Sequence, residues 1–312
     1  MSQRTEYRTC NLCEATCGLE IEVVDEAVRR IRGDRADVFS HGFVCPKGST
    51  LRHLHEDPDR LRRPRVKREG TVVEVDWPEA FAAVEAGFAP LLQGTERDTV
   101  AAYLGNPNVH NLGAGVFNRV LLEALGTRNL FTASTVDQMP KHVSSGLVYG
   151  DPFAIPVPDL DRTDHLLMLG ANPLASNGSL ATAPDFPGRL AAIRERGGRV
   201  VLVDPRRTET AEVVDTHLRI RPGTDALWLA AMITEIAGAG LVDPGPAGVH
   251  VDGLDEVLAA LDPFTAYSVA AATGVDPATT TRLARDFAEA PTAVAYGRIG
   301  THTVAFGTLA AW

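Results

Sequence analysis

HLLMLGANPLASNGS, residues 165–179, is the stretch that decides the fold. His165–Leu169 is a short run of large side chains that stops abruptly at Gly170 and a polar loop. A run of this length, without polar alternation, reads as a strand buried on both faces. The same pattern recurs downstream. A helix is expected near 186–196, then a strand over Val200–Val203 that ends in Asp204-Pro-Arg-Arg-Thr-Glu-Thr210. A helix over 207–214, a strand over 217–221 ending in Arg221-Pro-Gly-Thr-Asp225, and a long helix over 224–238 should follow. Two more helices are expected near 254–262 and 276–289, and a last strand at 292–297. Strand-helix alternation of this kind implies an α/β fold, a doubly wound and mostly parallel Rossmann-like sheet covered on both faces.

Upstream the alternation continues. Residues 78–92 read as a helix, 98–104 as a buried strand, 112–126 as a helix, 129–134 as a strand and 138–148 as a helix with Pro140 in its first turn. Closer to the N-terminus the pattern changes to hairpins. Residues 19–24 and 28–32 alternate around Asp25-Glu26, and a second hairpin turns near Glu69-Gly70. A short helix should run from Cys45-Pro46 through His55. An Arg- and Pro-rich stretch from Asp57 to Lys67 and the Pro-rich loop 151–161 mark boundaries. The expected organisation is a small β domain at 1–60, an α/β segment at 61–150 that the chain rejoins from about 295–312, and a Rossmann-like domain at 151–294. FGTLAAW, at the end, stops in the middle of an apolar helical pattern without a cap, so a truncated chain is expected.

Composition sets limits on function. The chain has 312 residues, 45% hydrophobic and 22% charged, which excludes disordered and collagen-like classes. The net charge of −10 argues against a nucleic-acid partner. No apolar run reaches the ~18 residues of a membrane helix, and MSQRTEYRTC has no apolar leader segment. The expectation is a cytoplasmic protein without membrane insertion. A Walker A sequence is absent, which argues against an ATPase.

The four cysteines carry the most chemistry. They are Cys10, Cys13, Cys17 and Cys45, spaced C-x2-C-x3-C with a distant Cys-Pro. Three thiolates on one tight loop can surround one face of a cluster while the fourth closes it. Zinc ribbons prefer two paired knuckles, so this spacing fits an iron–sulfur cubane better than zinc. Lys47, two residues after Cys45, is placed to lie beside such a group, although it can equally be a solvated helix lysine.

Three successive strands end in polar loops at the edge where a doubly wound sheet binds its ligand. Gly170 opens the first, where Asn172 and Asn177 can donate amide hydrogens. Asp204 ends the second strand, placed for ribose hydroxyls or as a helix cap. Pro205, Arg206, Arg207 and Thr208 follow and should open a helix, where phosphates are welcome. Gly223, Thr224 and Asp225 end the third; a carboxylate there can pair with the two N–H donors of a guanine edge or simply cap the next helix. Together the loops imply a nucleotide.

C-x2-C-x3-C…CPKG, LGANPLASNGS, VDPRRTET and RPGTD, in that order, resemble the molybdopterin oxidoreductases, the superfamily that includes formate dehydrogenases and nitrate reductases. The resemblance implies a 4Fe-4S cluster on Cys10, Cys13, Cys17 and Cys45. It also implies a bis(molybdopterin guanine dinucleotide) cofactor carrying Mo or W. Lys47 matches the family lysine between cluster and pterin. Gly170, Asn172, Asn177, Asp204, Pro205, Arg206, Thr208, Gly223, Thr224 and Asp225 fall on nucleotide-binding stretches, and Tyr296–Thr301 resembles another cofactor-side segment. Family members place a Cys, selenocysteine, Ser or Asp on the metal after the strand expected at 129–134. Here the stretch holds no cysteine, and Asp137 is the best match, ahead of Ser134 and Thr135; it can also merely cap the following helix. His142 reads as an acid or base nearby or as a surface histidine. Members are considerably longer, so an N-terminal portion without the C-terminal domain, inactive by itself, is implied. The implied activity is an oxidoreductase passing electrons between a small-molecule substrate at the metal, the cluster and a redox partner protein or subunit. Two other readings stay open: an electron-transfer or structural subunit without the metal, and a non-redox lyase of the acetylene-hydratase kind.

Overall fold

The computed structural model describes residues 2–312, Pro107 by its backbone alone. The chain divides into two compact units, Met1–Ala133 and Ser134–Trp312.

The first unit opens with three antiparallel strands in the order β1 (Gln3–Thr9), β2 (Gly18–Val24), β3 (Ala27–Gly33). The expected hairpin is there. Asp25 and Glu26 both take positive φ, 49° and 64°, which matches the right-handed twist of the flanking strands. β1 has no sequence signature, because QRTEYRT is polar and mostly exposed on both faces. Its charges act across the sheet: Arg4 forks onto Glu26, and Gln3 donates to Glu22 at 3.0 Å. A charged outer strand of this kind resists pairing with other chains. The helix expected through His55 is two pieces, α1 (Pro46–Ser49) and α2 (Leu51–Glu56), separated at Thr50. The Thr50 hydroxyl donates to the Pro46 carbonyl at 2.8 Å and closes the first piece. A hairpin of β4 (Arg65–Arg68) and β5 (Thr71–Glu74) leads into α3 (Trp77–Leu92), which Asp76 caps through the Glu79 N–H.

The strand expected at 98–104 is shorter and not buried. Arg97–Thr99 is a 3-10 turn, and only β6 (Ala102–Leu104) is extended, with Tyr103 exposed. Asp98 bends the chain there, accepting from the Arg128 N–H and Nε, both at 2.8 Å. α4 (Leu112–Leu125) follows, and β7 (Leu130–Thr132) pairs in parallel with β6.

The second unit begins with α5 (Met139–Tyr149), whose first turn holds Pro140 as expected. Its centre is a parallel sheet in the order β10-β9-β8-β11, with β8 at His165–Leu169, β9 at Arg199–Val203, β10 at Thr216–Leu218 and β11 at Ala293–Gly297. β11, expected near the point where the chain leaves this domain, is hydrogen-bonded along its length to β8. Alternate side chains of the central strands enter two separate cores. Leu166, Met168, Val200 and Leu202 pack with Phe186, Leu190 and Ile193 of α7 (Phe186–Glu195). Leu167, Leu169, Val201 and Val203 pack with Trp228 and Met232 of α8 (Asp225–Gly238), joined by Leu283 and Ala284. α6 (Pro173–Ser176) is a single turn ahead of α7. Beyond α8 come α9 (Leu254–Leu261), α10 (Ala266–Thr273) and α11 (Pro277–Ala288), the last carrying Leu283 and Ala284. α10 escaped the sequence reading because AYSVAAAT has no amphipathic period; Thr265 caps it through the Ser268 N–H at 3.1 Å. Two short helices, α12 (Ile299–His302) and α13 (Gly307–Ala311), end the chain, and α13 packs on α5.

The helix expected at 207–214 is absent. Only Thr210–Glu212 forms a 3-10 turn. The side chains here bond locally instead: Arg207 forks onto Glu212, and the Thr208 hydroxyl accepts from the Ala211 N–H at 3.3 Å. Ser, Thr and Asp side chains that bond their own backbone compete with helix formation.

β8 sits between β9 and β11, so the winding reverses beside it. The loops leaving β8 and β11 touch there. Gly170 has φ +55°, and a Cβ on it would lie 2.8 Å from the Gly300 Cα; the converse distance is 2.7 Å. The Gly300 N–H donates to the Gly170 carbonyl at 3.2 Å. Gly300→Ala therefore forces two backbones apart. It should lower unfolding stability by about 1–3 kcal/mol, the range of overpacked sites, read from the denaturation midpoint of the full chain. An unchanged midpoint would mean the two loops do not meet.

Candidate functional site

The thiols gather in the first unit. Cys10, Cys13 and Cys17 lie on the loop between β1 and β2, and Cys45 directly precedes α1. The Cys10 N–H donates to the Cys17 carbonyl at 2.8 Å, which draws the loop closed, and Thr16 takes φ 45° inside it. All four are free thiols; Cys10 and Cys17 are buried and the other two half-buried. Ala15 and Leu19 pack with them, and Leu12, Phe43, Val44 and Leu51 shield them further. Gly48 packs too tightly for a side chain, since a Cβ there would lie 2.6 Å from the Val44 Cγ2; the Cys10 Sγ would stand at an ordinary 3.6 Å.

Burial pushes the Cys17 thiol up to about 11, reinforced by Cys10, Cys13 and Cys45. Burial likewise raises Cys13, with Cys10 and Cys45 adding to it. The four sulfurs thus feel one another. Among the described residues, however, no three His, Cys, Asp or Glu side chains converge on a single ion position. Four thiols on one loop and the start of α1, packed among apolar side chains, suit a multi-iron cluster, whose ligands stand at its corners. Four free thiols set among apolar side chains are residues that fit that group. Lys47 is exposed on α1.

A second set lies at the carboxyl ends of the parallel strands. Asp204 follows β9; its Oδ1 accepts from the Arg206 N–H at 2.8 Å, and its carbonyl lies 2.9 Å from the His217 Nε2. No helix follows directly, so Asp204 caps none. Pro205 and Arg206 are exposed, while Thr208 turns inward. Arg206 and Thr208 do not stand at a helix start, which corrects the expected helix-terminal phosphate seat. Asn172 joins the first loop to the second. Its Nδ2 donates to Glu209 at 2.9 Å, and its Oδ1 accepts from the Thr210 hydroxyl at 2.7 Å. Asn177 ends α6 in the left-handed region, φ 59°.

Gly223 takes φ +81° before α8. The Thr224 hydroxyl donates back to the Arg221 carbonyl at 2.8 Å and leaves the helix uncapped. Asp225, in the first helical turn, is 5% exposed. Burial raises its carboxyl above the usual range, and the nearby Asp204 raises it further. Two neighbouring carboxyl groups, one of them buried, call for a partner that brings N–H or O–H donors. A guanine edge or sugar hydroxyls have that chemistry, so the residues fit a guanine nucleotide.

Asp137 lies two residues ahead of α5. The helix is capped at Gln138 without a side-chain bond, so Asp137 is not its cap. Its Oδ1 accepts from the Arg298 Nη2 at 3.2 Å. Ser134 contributes its carbonyl to the Asp137 and Gln138 N–H groups at 3.3 and 3.0 Å. His142 is occupied elsewhere: its Nδ1 lies 2.7 Å from the Pro152 carbonyl and its ring packs edge-on to Phe153. Arg298 lies in the Tyr296–Thr301 segment that the sequence marked, but sequence reasoning missed Lys141 and His302, which cluster with it beside Asp137. For His302 the signal was that same segment, which ends one residue before it; Lys141 had none beyond its nearness to Asp137 in sequence.

Comparison with known proteins places the chain. The molybdopterin oxidoreductase family matches residues 60–273, and its Fe4S4 domain matches residues 5–56, which hold all four cysteines. The chain belongs to the molybdopterin oxidoreductase family. It is 27% identical over 292 residues to a nitrate reductase of Symbiobacterium thermophilum, covering 88% of this chain and 37% of that protein. It is 29% identical over 317 residues to the assimilatory nitrate reductase of Haloferax mediterranei, covering 97% and 41%. It is 25% identical over 310 residues to the alpha subunit of an F420-dependent formate dehydrogenase of Methanococcus maripaludis, covering 97% and 44%. Acetylene hydratase from Pelobacter acetylenicus shares the fold, with a TM-score of 0.81 at 20% identity over 98% of this chain and 42% of that one. The chain thus spans less than half the length of these relatives. No helix among the described residues is long and apolar enough to cross a membrane.

Protein prepared without air should be brown and hold about four irons per chain. Cys45→Ser should lose most of the iron, because one corner of the cluster then has no thiolate. Stoichiometric zinc in colourless protein would contradict the assignment.

Proposed function

We propose that the complete protein is a molybdopterin guanine dinucleotide oxidoreductase that carries Mo or W. It exchanges electrons between a small substrate at the metal, a 4Fe-4S cluster on Cys10, Cys13, Cys17 and Cys45, and a redox partner protein or subunit. The observation that carries this reading is the carboxylate pair Asp204–Asp225, one member buried, neither employed as a helix cap. Carboxylates left in this state at the ligand edge of a parallel sheet are suited to the donors of a guanine base and its ribose.

Each residue has a distinct task. Asp225 accepts from the base, and Asp204 takes the sugar or the base beside it. Gly223 lets phosphate or sugar approach the main chain, while Gly170 makes room for Gly300 and so sets the course of the loop that borders the nucleotide. Asn177, Pro205, Arg206 and Thr224 line the approach, while Asn172 and Thr208 hold the loops in place. Asp137 is the protein ligand to the metal, a hard carboxylate for a high-valent ion; Arg298 takes only one of its two oxygens. The bound cofactor supplies the two-electron chemistry. Lys47 adds positive charge next to the cluster and favours its reduced form. The regions 1–60, 61–150 with the end of the chain, and 151–294 are proposed as its domains. Cytoplasmic residence is part of the same proposal.

Asp225→Ala in the full-length protein should reduce bound guanine nucleotide and Mo or W together. Loss of a charged hydrogen bond costs about 1.5–3 kcal/mol, so cofactor occupancy measured at limiting supply should fall at least severalfold. Iron content should stay unchanged. Full occupancy in both Asp225→Ala and Asp204→Ala would contradict the nucleotide reading.

A further inference from the structure

The loop after β9 has no helix to hold it, so side chains fasten it at both ends. At the far end, Asn172 takes Glu209 and Thr210. At the base, where Asp204 leaves the sheet, the fastening comes from β10. The Asp204 N–H donates to the Leu218 carbonyl at 3.1 Å, one rung beyond the paired Val203 and Leu218. β10 ends at Leu218. The Asp204 carbonyl meets a side chain instead: the His217 Nε2 lies 2.9 Å from it.

Strand alternation places His217 for this bond. Leu218 packs into the core shared by Val201, Val203 and Trp228, so the residue before it points to the opposite face. On that face Ala211 and Val214, later residues of the same loop, pack with Val200 and Leu202. The half-buried ring therefore stands on the loop's side of the sheet. The Arg207 fork, and to a smaller degree the charge of His217, hold the Glu212 carboxyl below the usual range, so the ring lies near the far end of the loop as well. A carbonyl only accepts, so Nε2 carries the proton and donates. This holds for the neutral ring and for the cation alike, and the contact does not depend on the ring's charge.

The consequence falls on the Asp204 carboxylate. Pro205 confines the residue before it to extended backbone. With the N–H on Leu218 and the carbonyl on His217, both peptide planes that flank the Asp204 Cα are fixed. The carboxylate hangs from that Cα, and its Oδ1 accepts from the Arg206 N–H at 2.8 Å. Its direction at the ligand edge is thus set before a ligand arrives, and binding need not order it. Without the His217 bond the Asp204–Pro205 peptide has one restraint fewer, and the Arg206 N–H that holds the carboxylate moves with it.

We propose that His217 is a positioning residue for the bound nucleotide: by donating to the Asp204 carbonyl it aims the Asp204 carboxylate at the sugar, or at the base beside it. The proposal rests on the guanine-nucleotide reading of Asp204 and Asp225. His217 does not touch the nucleotide; it acts through Asp204.

The test is the guanine nucleotide released by acid from the full-length protein, prepared at limiting cofactor supply, with iron content as the check on folding. His217→Leu keeps the bulk and removes the N–H. It should retain roughly three- to tenfold less nucleotide than wild type, the range one neutral hydrogen bond carries. His217→Gln, whose amide N–H reaches the same carbonyl, should stay within about twofold of wild type. His217→Leu added to Asp204→Ala should cause no further loss, because both changes remove one and the same contact to the nucleotide. Wild-type nucleotide content in His217→Leu, beside a loss in Asp204→Ala, would overturn the proposal and leave the nucleotide reading standing. So would additive losses in the double variant, or a Gln variant as depleted as the Leu one. Full occupancy in both Asp204→Ala and Asp225→Ala would refute the nucleotide reading and this proposal with it. Should His217→Leu lose its iron, His217→Asn, whose amide is too short for the carbonyl, takes its place with the same expectation.

Discussion

The second unit depends on the close approach of Gly170 and Gly300, where the loops leaving β8 and β11 cross with no side chain between them. Both faces of β8 and β9 are covered by helices, so their apolar residues have nowhere polar to lead. All chemistry must therefore emerge at the strand ends. The contact holds the first and last of these ends together, and Asp204, Asp225 and Arg298 are positioned from the same short strands. Side chains fixed by strand ends and main-chain bonds are already ordered before any ligand arrives, which reduces the entropy that binding must overcome.

The first unit is governed by a different constraint. Its three-stranded sheet is small, and the few apolar groups inside it surround sulfur rather than one another. Burial holds Cys13 and Cys17 protonated at neutral pH. A metal must displace those protons, so binding couples to folding and pH. In this part of the chain a cluster does the work that an apolar core does around β8 and β9.

Much of this was legible in the amino-acid order. The runs at His165–Leu169 and Val200–Val203 announced buried parallel strands, because only a strand covered on both faces lacks polar alternation. Asp25-Glu26 announced its hairpin through turn chemistry. The misses have physical causes. β1 is polar on both faces and leaves no pattern to read. The stretch 207–214 has helical periodicity, yet its Arg, Thr and Glu side chains bond locally and hold it in a turn. At the site, the cysteines and the three strand-end loops stood out by spacing. Lys141 did not, since it is far in sequence from Arg298 and His302 and only the fold brings it to the Gly297 carbonyl beside them.

The central claim is that the carboxyl edge of the β10-β9-β8-β11 sheet holds a guanine dinucleotide. The most direct measurement is a density map of the full-length protein, prepared without air. The account predicts a guanine base against the Asp225 carboxylate, with its sugar or phosphate at Asp204 and Gly223. A nucleotide bound elsewhere, or an edge closed by the protein's own side chains in metal-loaded protein, would contradict it.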